Sequence, residues 1–190
     1  MHPNNIPSPL AGQRHYILAT DGACLPNPGP GGWGAIRQLV EADGTISAQS
    51  PFAGFQPATT SVRMEMLAAI KGLSRLTIPE LPTLLLTDNQ MVVKGMTEWL
   101  VGWKERGWKT ADKKPVKNLD LWLELDALAQ TRAICWQWVK GHAGHELNEM
   151  ADTLANNGAL RVYAKAGSRL KDRHPNWYLG DDALVLEQAA

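Results

Sequence analysis

The hydrophobic period of this chain changes near residue 59, and this change restricts the fold more than any other feature of the sequence. Ahead of it, apolar residues lie in extended runs bounded by turn residues, at 16–19, 33–40 and 45–55. Asp43 and Gly44 stand between the last two runs and form a typical hairpin turn. The first part of the chain is therefore predicted to be an antiparallel meander of three strands.

Beyond residue 59 the apolar residues recur at helical spacing. A helix is predicted over residues 59–76 from its apolar stripe, which consists of Val62, Met66, Ala69, Leu73 and Leu76. Short apolar strands then alternate with helical segments: strands at 83–87 and 134–139, helices at 89–96, 97–105, 118–131 and about 147–164. Such alternation is typical of parallel strands covered by helices, so the predicted fold class is α/β.

The chain has 190 residues, which suits one globular domain with its own core. Residues 1–14 contain three prolines and no apolar stretch of a signal peptide, and we predict a flexible arm there. The domain is predicted over residues 15–165, whereas residues 166–190 have no clear structural signal. Residues 27–32 read NPGPGG and predict a loop, because proline and glycine suit neither helix nor strand interiors.

Composition excludes several classes of protein. With 44% hydrophobic and 20% charged residues, the chain is not disordered by composition, and no apolar run approaches the roughly 18 residues of a membrane span. Cys24 and Cys135 lack the spacing of a zinc site. We expect two reduced thiols in a cytoplasmic protein, with one disulfide as the alternative. The formal net charge of zero excludes a uniformly basic surface but not an uneven one.

Positive charge is concentrated in residues 104–117, which we call the basic segment. It holds six basic and two acidic residues, a local balance of +4. Trp99, Trp103 and Trp108 lie in it or beside it. Basic groups neutralise phosphates and flat aromatic rings add stacking surface, so this composition favours a phosphate-binding surface. The alternative is a solvated loop whose tryptophans pack on the helices beneath, and Trp99 and Trp103 are spaced to pack on each other.

Four acidic residues end or flank predicted elements. Asp21 ends the first strand and Asp88 ends the fourth, positions at which α/β sheets build their sites. Glu65 lies about 60° from the centre of its helical stripe, and Asp152 lies off the apolar stripe of the last helix. Each has a structural alternative: a turn for Asp21, a helix cap for Asp88 and a solvated surface for the other two.

If these carboxylates converge, their mutual repulsion requires protonation or bound cations. Oxygen ligands alone suit Mg²⁺ or Mn²⁺ rather than zinc. Two such ions about 4 Å apart would hold a phosphodiester for in-line attack by water. The sequence by itself does not bring the four groups together.

A glycine-flanked loop at residues 140–145 adds two imidazoles, His142 and His145. A histidine in a mobile loop near such a site can accept or deliver a proton near neutral pH. Two alternatives are a surface histidine and a zinc pair, although no nearby thiol supports zinc.

In five stretches, the chain resembles the type 1 ribonuclease H family, particularly its bacterial single-domain members. These are TDGACLPNPGPGGWGAI (20–36), RMEMLAAI (63–70), LLLTDNQ (84–90), WKERGWKTADKKPVKN (103–118) and WVKGHAGHELNEMADTLA (138–155). The stretches keep the family's order and separations, and the resemblance covers about residues 14–160. It implies a five-stranded mixed sheet, an antiparallel meander plus parallel strands, with helices on both faces.

The resemblance also implies the roles of five residues. Asp21, Glu65, Asp88 and Asp152 match the family's metal-binding carboxylates, which hold two Mg²⁺ ions, with Mn²⁺ as a substitute. His142 matches its mobile catalytic histidine, and His145 does not.

The implied substrate is an RNA/DNA hybrid, bound by a monomer that has no membrane association. A basic protrusion, about residues 97–118, would grip the DNA strand through Trp103, Lys104, Arg106, Trp108, Lys109, Lys113, Lys114 and Lys117. The positions that match substrate contacts near the minor groove and at the start of the first helix are Gly22, Cys24, Asn27, Thr60, Ser61 and Gln90. An A-like minor groove exposes the 2′-hydroxyl by which RNA is told from DNA.

The activity expected from this resemblance is hydrolysis of the RNA strand of a hybrid, with 5′-phosphate and 3′-hydroxyl ends. The alternatives are another nuclease of the same fold and an inactive hybrid-binding module. The chain departs from many relatives at Ser61-Val62, where two asparagines are usual, and at Asn89, where serine is usual.

Overall fold

The computed structural model describes residues 10–165 and 186–188, which form one mixed β-sheet with helices on both faces. The strands are β1 (His15–Cys24), β2 (Gly29–Val40), β3 (Ile46–Thr59), β4 (Thr83–Thr87), β5 (Ile134–Trp138) and β6 (Leu186–Gln188). Their order across the sheet is β5-β4-β1-β2-β3-β6. The first three strands are antiparallel, and β4 and β5 continue the sheet parallel to β1.

The predicted α/β fold with a five-stranded mixed sheet is therefore confirmed, and the described part of the chain adds a sixth strand. This strand is three residues long and pairs with β3 in parallel. The rest of the segment predicted to have no clear structure, residues 166–185 and 189–190, lies outside the described residues.

The helices lie close to their predicted positions. They are α1 (Ser61–Ser74), α2 (Gln90–Lys94), α3 (Leu100–Glu105), α4 (Leu119–Gln130) and α5 (Glu146–Lys165). The two segments predicted at 89–96 and 97–105 form one continuous helical run, because a π-helical turn over Gly95–Trp99 joins α2 to α3. Gly95 lies against the indole of Trp122, whose ring would overlap a Cβ at that position.

Alternate residues of the central strands enter two separate cores. Tyr16, Leu18 and Leu85 pack with α1 and α4 on one face. Ala19 and Leu86 pack on the other face, which α5 covers. The two cores fix helices on both sides of the edge where β1 and β4 end.

The loop predicted at residues 27–32 is only partly correct. β2 already begins at Gly29, and Gly31 and Gly32 pair with the end of β1. Glycine is used inside this strand because α5 passes very close, and a Cβ at Gly32 would overlap the backbone carbonyl of Ala155. The prediction that β1 ends at Asp21 is also corrected. β1 continues to Cys24, because Ala23 and Cys24 pair with Gly32 and Gly31 of β2.

Residues 1–9 of the predicted arm lie outside the described residues, but its last five residues are described. Leu10 is buried beside Ala19 and Leu86. Arg14 forms a salt bridge with Glu41 at 3.0 Å. Residues 10–14 therefore pack on the domain, and the prediction of a flexible arm there is corrected. Within the described ranges, every helix is too short or too polar to cross a membrane.

Candidate active site

Two aspartates lie side by side at the point where β4 ends and β1 continues to Cys24. β1 and β4 run parallel with Thr20 opposite Thr87. Asp21 and Asp88 each follow one of these paired residues in the sequence. Side chains alternate along a strand, and Ala19 lies in the core covered by α5. Both aspartates therefore belong to the α5 face of the sheet.

Glu65 reaches the same point from α1, which packs on the opposite face. Gly22 makes this approach possible, because a Cβ there would overlap the backbone nitrogen of Glu65. The first turn of α1 starts at Thr60, whose side chain accepts a hydrogen bond from the Arg63 backbone N–H at 3.4 Å. The role that the structure gives to Gly22 is thus close packing of strand and helix, next to the carboxylates.

The three carboxylates form a compact set of oxygen donors. One oxygen from each of Asp21, Glu65 and Asp88 lies within 4.8 Å of the others. Asp21 and Glu65 are buried, with 6% and 8% of their surface exposed. Glu65 Oε2 is buried without a hydrogen-bond partner. An unpartnered carboxylate oxygen among two other carboxylates fits a hard divalent cation, because that ion takes oxygen ligands and offsets the repulsion.

The electrostatics of the cluster match that interpretation. Burial, followed by the charges of Asp88 and Asp152, raises the pKa of Asp21 to about 7, while hydrogen bonds from the Gly22 backbone and the Glu65 side chain oppose the rise. Burial and then the charges of Asp21 and Asp88 raise the pKa of Glu65 well above its ordinary value. The pKa of Asp88 is also raised, chiefly by burial. The groups that lower these pKa values act mostly through hydrogen bonds and not through positive charge, so the repulsion between the carboxylates is largely uncompensated.

Asp152 and His142 lie at the rim of the cluster. Asp152 is outside the group of three, yet its charge contributes to the raised pKa values of Asp21 and Asp88. Its Oδ1 accepts a hydrogen bond from Asn156 at 2.6 Å. His142 Nδ1 lies 4.0 Å from Asp152 Oδ2, and the His142 side chain is 79% exposed. All five predicted catalytic residues are thus gathered at one edge of the sheet.

Asn148 and Asn89 also belong to the site, although they are absent from the predicted site residues. Asn148 is 2% exposed and hydrogen-bonds Asp88, which opposes the rise in the Asp88 pKa. Its Oδ1 is buried without a partner. Asn89 hydrogen-bonds Glu65 and opposes the rise in the Glu65 pKa. Helical spacing offers a signal for Asn148, which precedes Asp152 by four residues on the same side of α5.

The histidine loop is held against Asp88 by its neighbours. Trp138 donates its indole N–H to the Asp88 backbone carbonyl at 2.9 Å. A Cβ at Gly141 would overlap Asp88 Oδ2, so glycine lets the loop pass directly beside this carboxylate. His142 follows in the left-handed region, with φ of 50°.

The predicted substrate contacts near α1 have different surroundings. The Cys24 thiol is buried and donates to the carbonyls of Pro26 at 3.2 Å and Gly29 at 3.4 Å, so its side chain serves packing. Asn27 Oδ1 accepts from the Ser61 backbone N–H at 3.3 Å. The loop before β2 and the start of α1 therefore lie together. Gln90 is exposed at the first position of α2.

The basic segment is an exposed turn attached to a buried tryptophan pair. Trp103 is 9% exposed, and its ring lies 5.1 Å from that of Trp122, so it supports the segment from beneath and offers no free stacking face. The exposed basic residues of the segment are Lys104, Arg106, Lys109, Lys113, Lys114 and Lys117. Lys104 pairs with Asp126 at 2.8 Å, whereas Trp108 is partly exposed with φ of 62°.

Comparison with known proteins identifies relatives across this whole region. A family model described as RNase H matches residues 13–160. A ribonuclease H of Alcanivorax borkumensis is 51% identical over 154 residues, covering 81% of this chain and 97% of that protein. A ribonuclease HI of Caulobacter vibrioides is 56% identical over 141 residues, covering 74% and 90%.

Solved structures agree with the sequence relatives. LC9-RNase H1, a type 1 RNase H with the type 2 active-site motif, has a TM-score of 0.71 at 29% identity, and the match covers 88% of this chain and 85% of that one. LC11-RNase H1, solved in complex with an RNA/DNA hybrid, has a TM-score of 0.55 at 20% identity, covering 80% and 99%. The second likeness supports the fold alone.

Proposed function

This chain belongs to the ribonuclease H family, and we propose that it is an endoribonuclease that cuts the RNA strand of RNA/DNA hybrids. The observation that carries the proposal is the convergence of Asp21, Glu65 and Asp88 within 4.8 Å, inside the region that matches the family. Relatives named ribonuclease H at 51–56% identity support the reaction, and the hybrid substrate is the one that the resemblance to this family implies.

The residues that would hold divalent cations are Asp21, Glu65, Asp88 and Asp152. Burial of Asp21 and Glu65, the unpartnered Glu65 Oε2 and the all-oxygen donor set suit Mg²⁺, with Mn²⁺ as a substitute. When bound, a pair of such ions supplies an activated water and stabilises the leaving oxygen. Asp21, which lies between its neighbours on β4 and α1, would hold the ions together with them.

The protein's own groups have two further tasks in this proposal. Asn148 and Asn89 hold the Asp88 and Glu65 carboxylates by hydrogen bonds. His142, exposed and 4.0 Å from Asp152, would move a proton or assist product release from the solvent-exposed side of the site. The products would carry 5′-phosphate and 3′-hydroxyl ends.

Substrate would lie across the start of α1 and the basic segment. Asn27 and Ser61 are adjacent at the start of α1. Exposed lysines such as Lys113 and Lys114 line the basic segment. Phosphates of the DNA strand would bind the basic residues, and the RNA strand would face the carboxylates. We further propose that the enzyme is monomeric and that it is cytoplasmic. The two free thiols support the cytoplasmic location.

The decisive experiment is cleavage of three matched substrates by the purified full chain, with Mg²⁺ and with a chelator. We expect cleavage of hybrid RNA only, lost without metal, with 5′-phosphate ends identified by phosphatase sensitivity. Cleavage of duplex DNA would instead favour another nuclease of the same fold. Hybrid binding without turnover would favour an inactive binding module.

A further inference from the structure

Helix α5 passes very close to the sheet at two glycines of β2, Gly32 and Gly34. In the β1–β2 ladder Asp21 is directly opposite Gly34. A Cβ at Gly34 would overlap the backbone carbonyl oxygen of Ala151 and would lie 2.6 Å from Leu154 Cβ. Ala151 is fully buried and immediately precedes Asp152. One of the contacts that fix the depth of α5 is thus one residue away from Asp152.

This contact cannot be relieved by a change of side-chain rotamer. The nearest atom is a main-chain oxygen of α5, and the next is a Cβ, which moves only with its backbone. A methyl group at position 34 would therefore lift this turn of α5 from β2 or tilt the helix. Interiors are close-packed, so such a shift moves neighbouring groups instead of filling empty space.

Movement of α5 changes the distance of Asp152 from the other carboxylates. Asp21, Glu65 and Asp88 belong to β1, α1 and the end of β4. Helix α1 packs on the face opposite α5, and β1 and β4 lie in the sheet between the two helices. The hydrogen-bond partner of Asp152 is Asn156, which lies on α5 and moves with it. The contact with Gly34 is therefore the close contact of α5 with the sheet that lies next to Asp152 in sequence and directly opposite Asp21.

We propose that Gly34 is a positioning residue for Asp152: the lack of a side chain at Gly34 sets the depth of α5 and so the distance between Asp152 and the Asp21 cluster. This inference rests on the proposed function only for its effect on catalysis. Its effect on cation binding concerns the site itself and is independent of the substrate.

The first test compares Gly34→Ala with wild type and with Leu125→Ala, which truncates a fully buried leucine of α4 on the opposite face. Mn²⁺ binding is measured by calorimetry without substrate, and kcat and KM are measured on a hybrid with saturating Mg²⁺. For Gly34→Ala we expect several-fold weaker Mn²⁺ binding, kcat lower by roughly 10- to 100-fold and KM near wild type. Leu125→Ala should lose stability and keep kcat and Mn²⁺ affinity.

A second variant is needed because Gly34→Ala is able to prevent folding. Leu154→Ala keeps the Cβ that faces Gly34 but removes the rest of this buried side chain, and so loosens the packing of the same turn of α5 on the sheet without overlap. It should lower Mn²⁺ affinity and kcat, in contrast with the chemically identical change Leu125→Ala.

Two outcomes would overturn the proposal: wild-type Mn²⁺ affinity and kcat in Gly34→Ala, or equal losses in Leu154→Ala and Leu125→Ala. If wild type does not cleave hybrids, the proposed function fails. The Mn²⁺ comparison between the Gly34 and Leu125 variants then still decides the positioning role.

Discussion

The carboxyl groups of Asp21 and Glu65 lie together, with one oxygen of each within 4.8 Å of the other, although one comes from a strand and the other from a helix packed on the opposite face. Burial raises the pKa of both groups, and the charge of Asp21 raises the pKa of Glu65 further. Together with Asp88, the pair forms a buried site that cannot be fully ionised without cost. Without metal, the stability of the fold should therefore depend on pH at this site.

Substituting Asp21 tests that dependence directly. The pKa of Asp21 is about 7 in the folded chain against 3.8 for the ordinary group. The folded state therefore binds this proton more tightly, and the resulting stability is present below pH 4 and is lost as pH rises through 7. In chelator at pH 8, Asp21→Asn should be more stable than wild type, by at most about 4 kcal/mol, and the difference should shrink towards pH 5. Urea unfolding at the two pH values measures it.

Asp43→Asn is the matched control for this titration, since Asp43 is an exposed turn residue. Hydrogen bonds from the Thr45 backbone and hydroxyl lower the Asp43 pKa, so its contribution is lost as pH falls and has the opposite sign. A difference between Asp21→Asn and wild type that does not change with pH would contradict the raised pKa.

Replacing a carboxylate of the cluster by its amide should impair catalysis and leave hybrid binding unchanged. Asp21→Asn and Asp88→Asn each remove a charged oxygen ligand and preserve size. We expect kcat to fall by roughly 10²–10³-fold, the range for losing one preorganised electrostatic group. Hybrid affinity, measured by fluorescence anisotropy, should stay near wild type. Full activity in either variant would reject the metal assignment, and Asp43→Asn again serves as the control.

The basic segment predicts a salt dependence of hybrid binding. Lys113 and Lys114 are exposed on its turn, and each phosphate contact contributes about 0.9 to the slope of log affinity against log salt. Replacing both by glutamine should flatten the slope by about 1–2. The control replaces Arg14 and Lys71 by glutamine, which removes the same charge near the start of β1 and the end of α1, away from the carboxylates. An unchanged slope in the Lys113/Lys114 variant would argue against this grip.

Trp103 should act through stability and not through stacking on nucleic acid. Its ring is buried against Trp99 and Trp122, with centroid distances of 5.6 Å and 5.1 Å. Trp103→Ala should destabilise the fold by about 3–5 kcal/mol, whereas Trp103→Phe should keep hybrid affinity close to wild type. Trp99→Ala, at a position 37% exposed, is the comparison and should cost less. Thermal unfolding and anisotropy together separate the two roles, and a large affinity loss in a stable Trp103→Phe would support direct stacking.

Local patterns carry much of the fold in this chain. The alternating spacing of four and three residues between Val62, Met66 and Ala69 predicts α1. The apolar run at 83–87 predicts β4, and Asp88 follows it directly. These features depend on neighbouring residues, which is why periodicity finds them. The family resemblance places the carboxylates on one site before any geometry is known.

Features that depend on distant contacts are not visible in local patterns. Gly31 and Gly32 look like loop residues, but both lie in β2, where Gly31 packs closely on Thr59 and Met64 and Gly32 packs on the backbone of α5. Trp103 lies in a basic stretch and looks like a stacking group, but it is covered by Trp122 of another helix. Asn148 is a polar residue of an unremarkable helix turn until α5 docks it beside Asp88.

The burial of Cys24 has a practical consequence for chemical labelling. Burial raises the pKa of this thiol, and thiolate is the form that reacts with alkylating agents and oxidants. Cys135, on β5, is partly exposed and is the only other cysteine in the sequence. Maleimide reagents should therefore modify the native protein at Cys135 first, and Cys24 should react only when the chain opens. The ratio of the two modifications provides a built-in reporter of local unfolding beside the carboxylates.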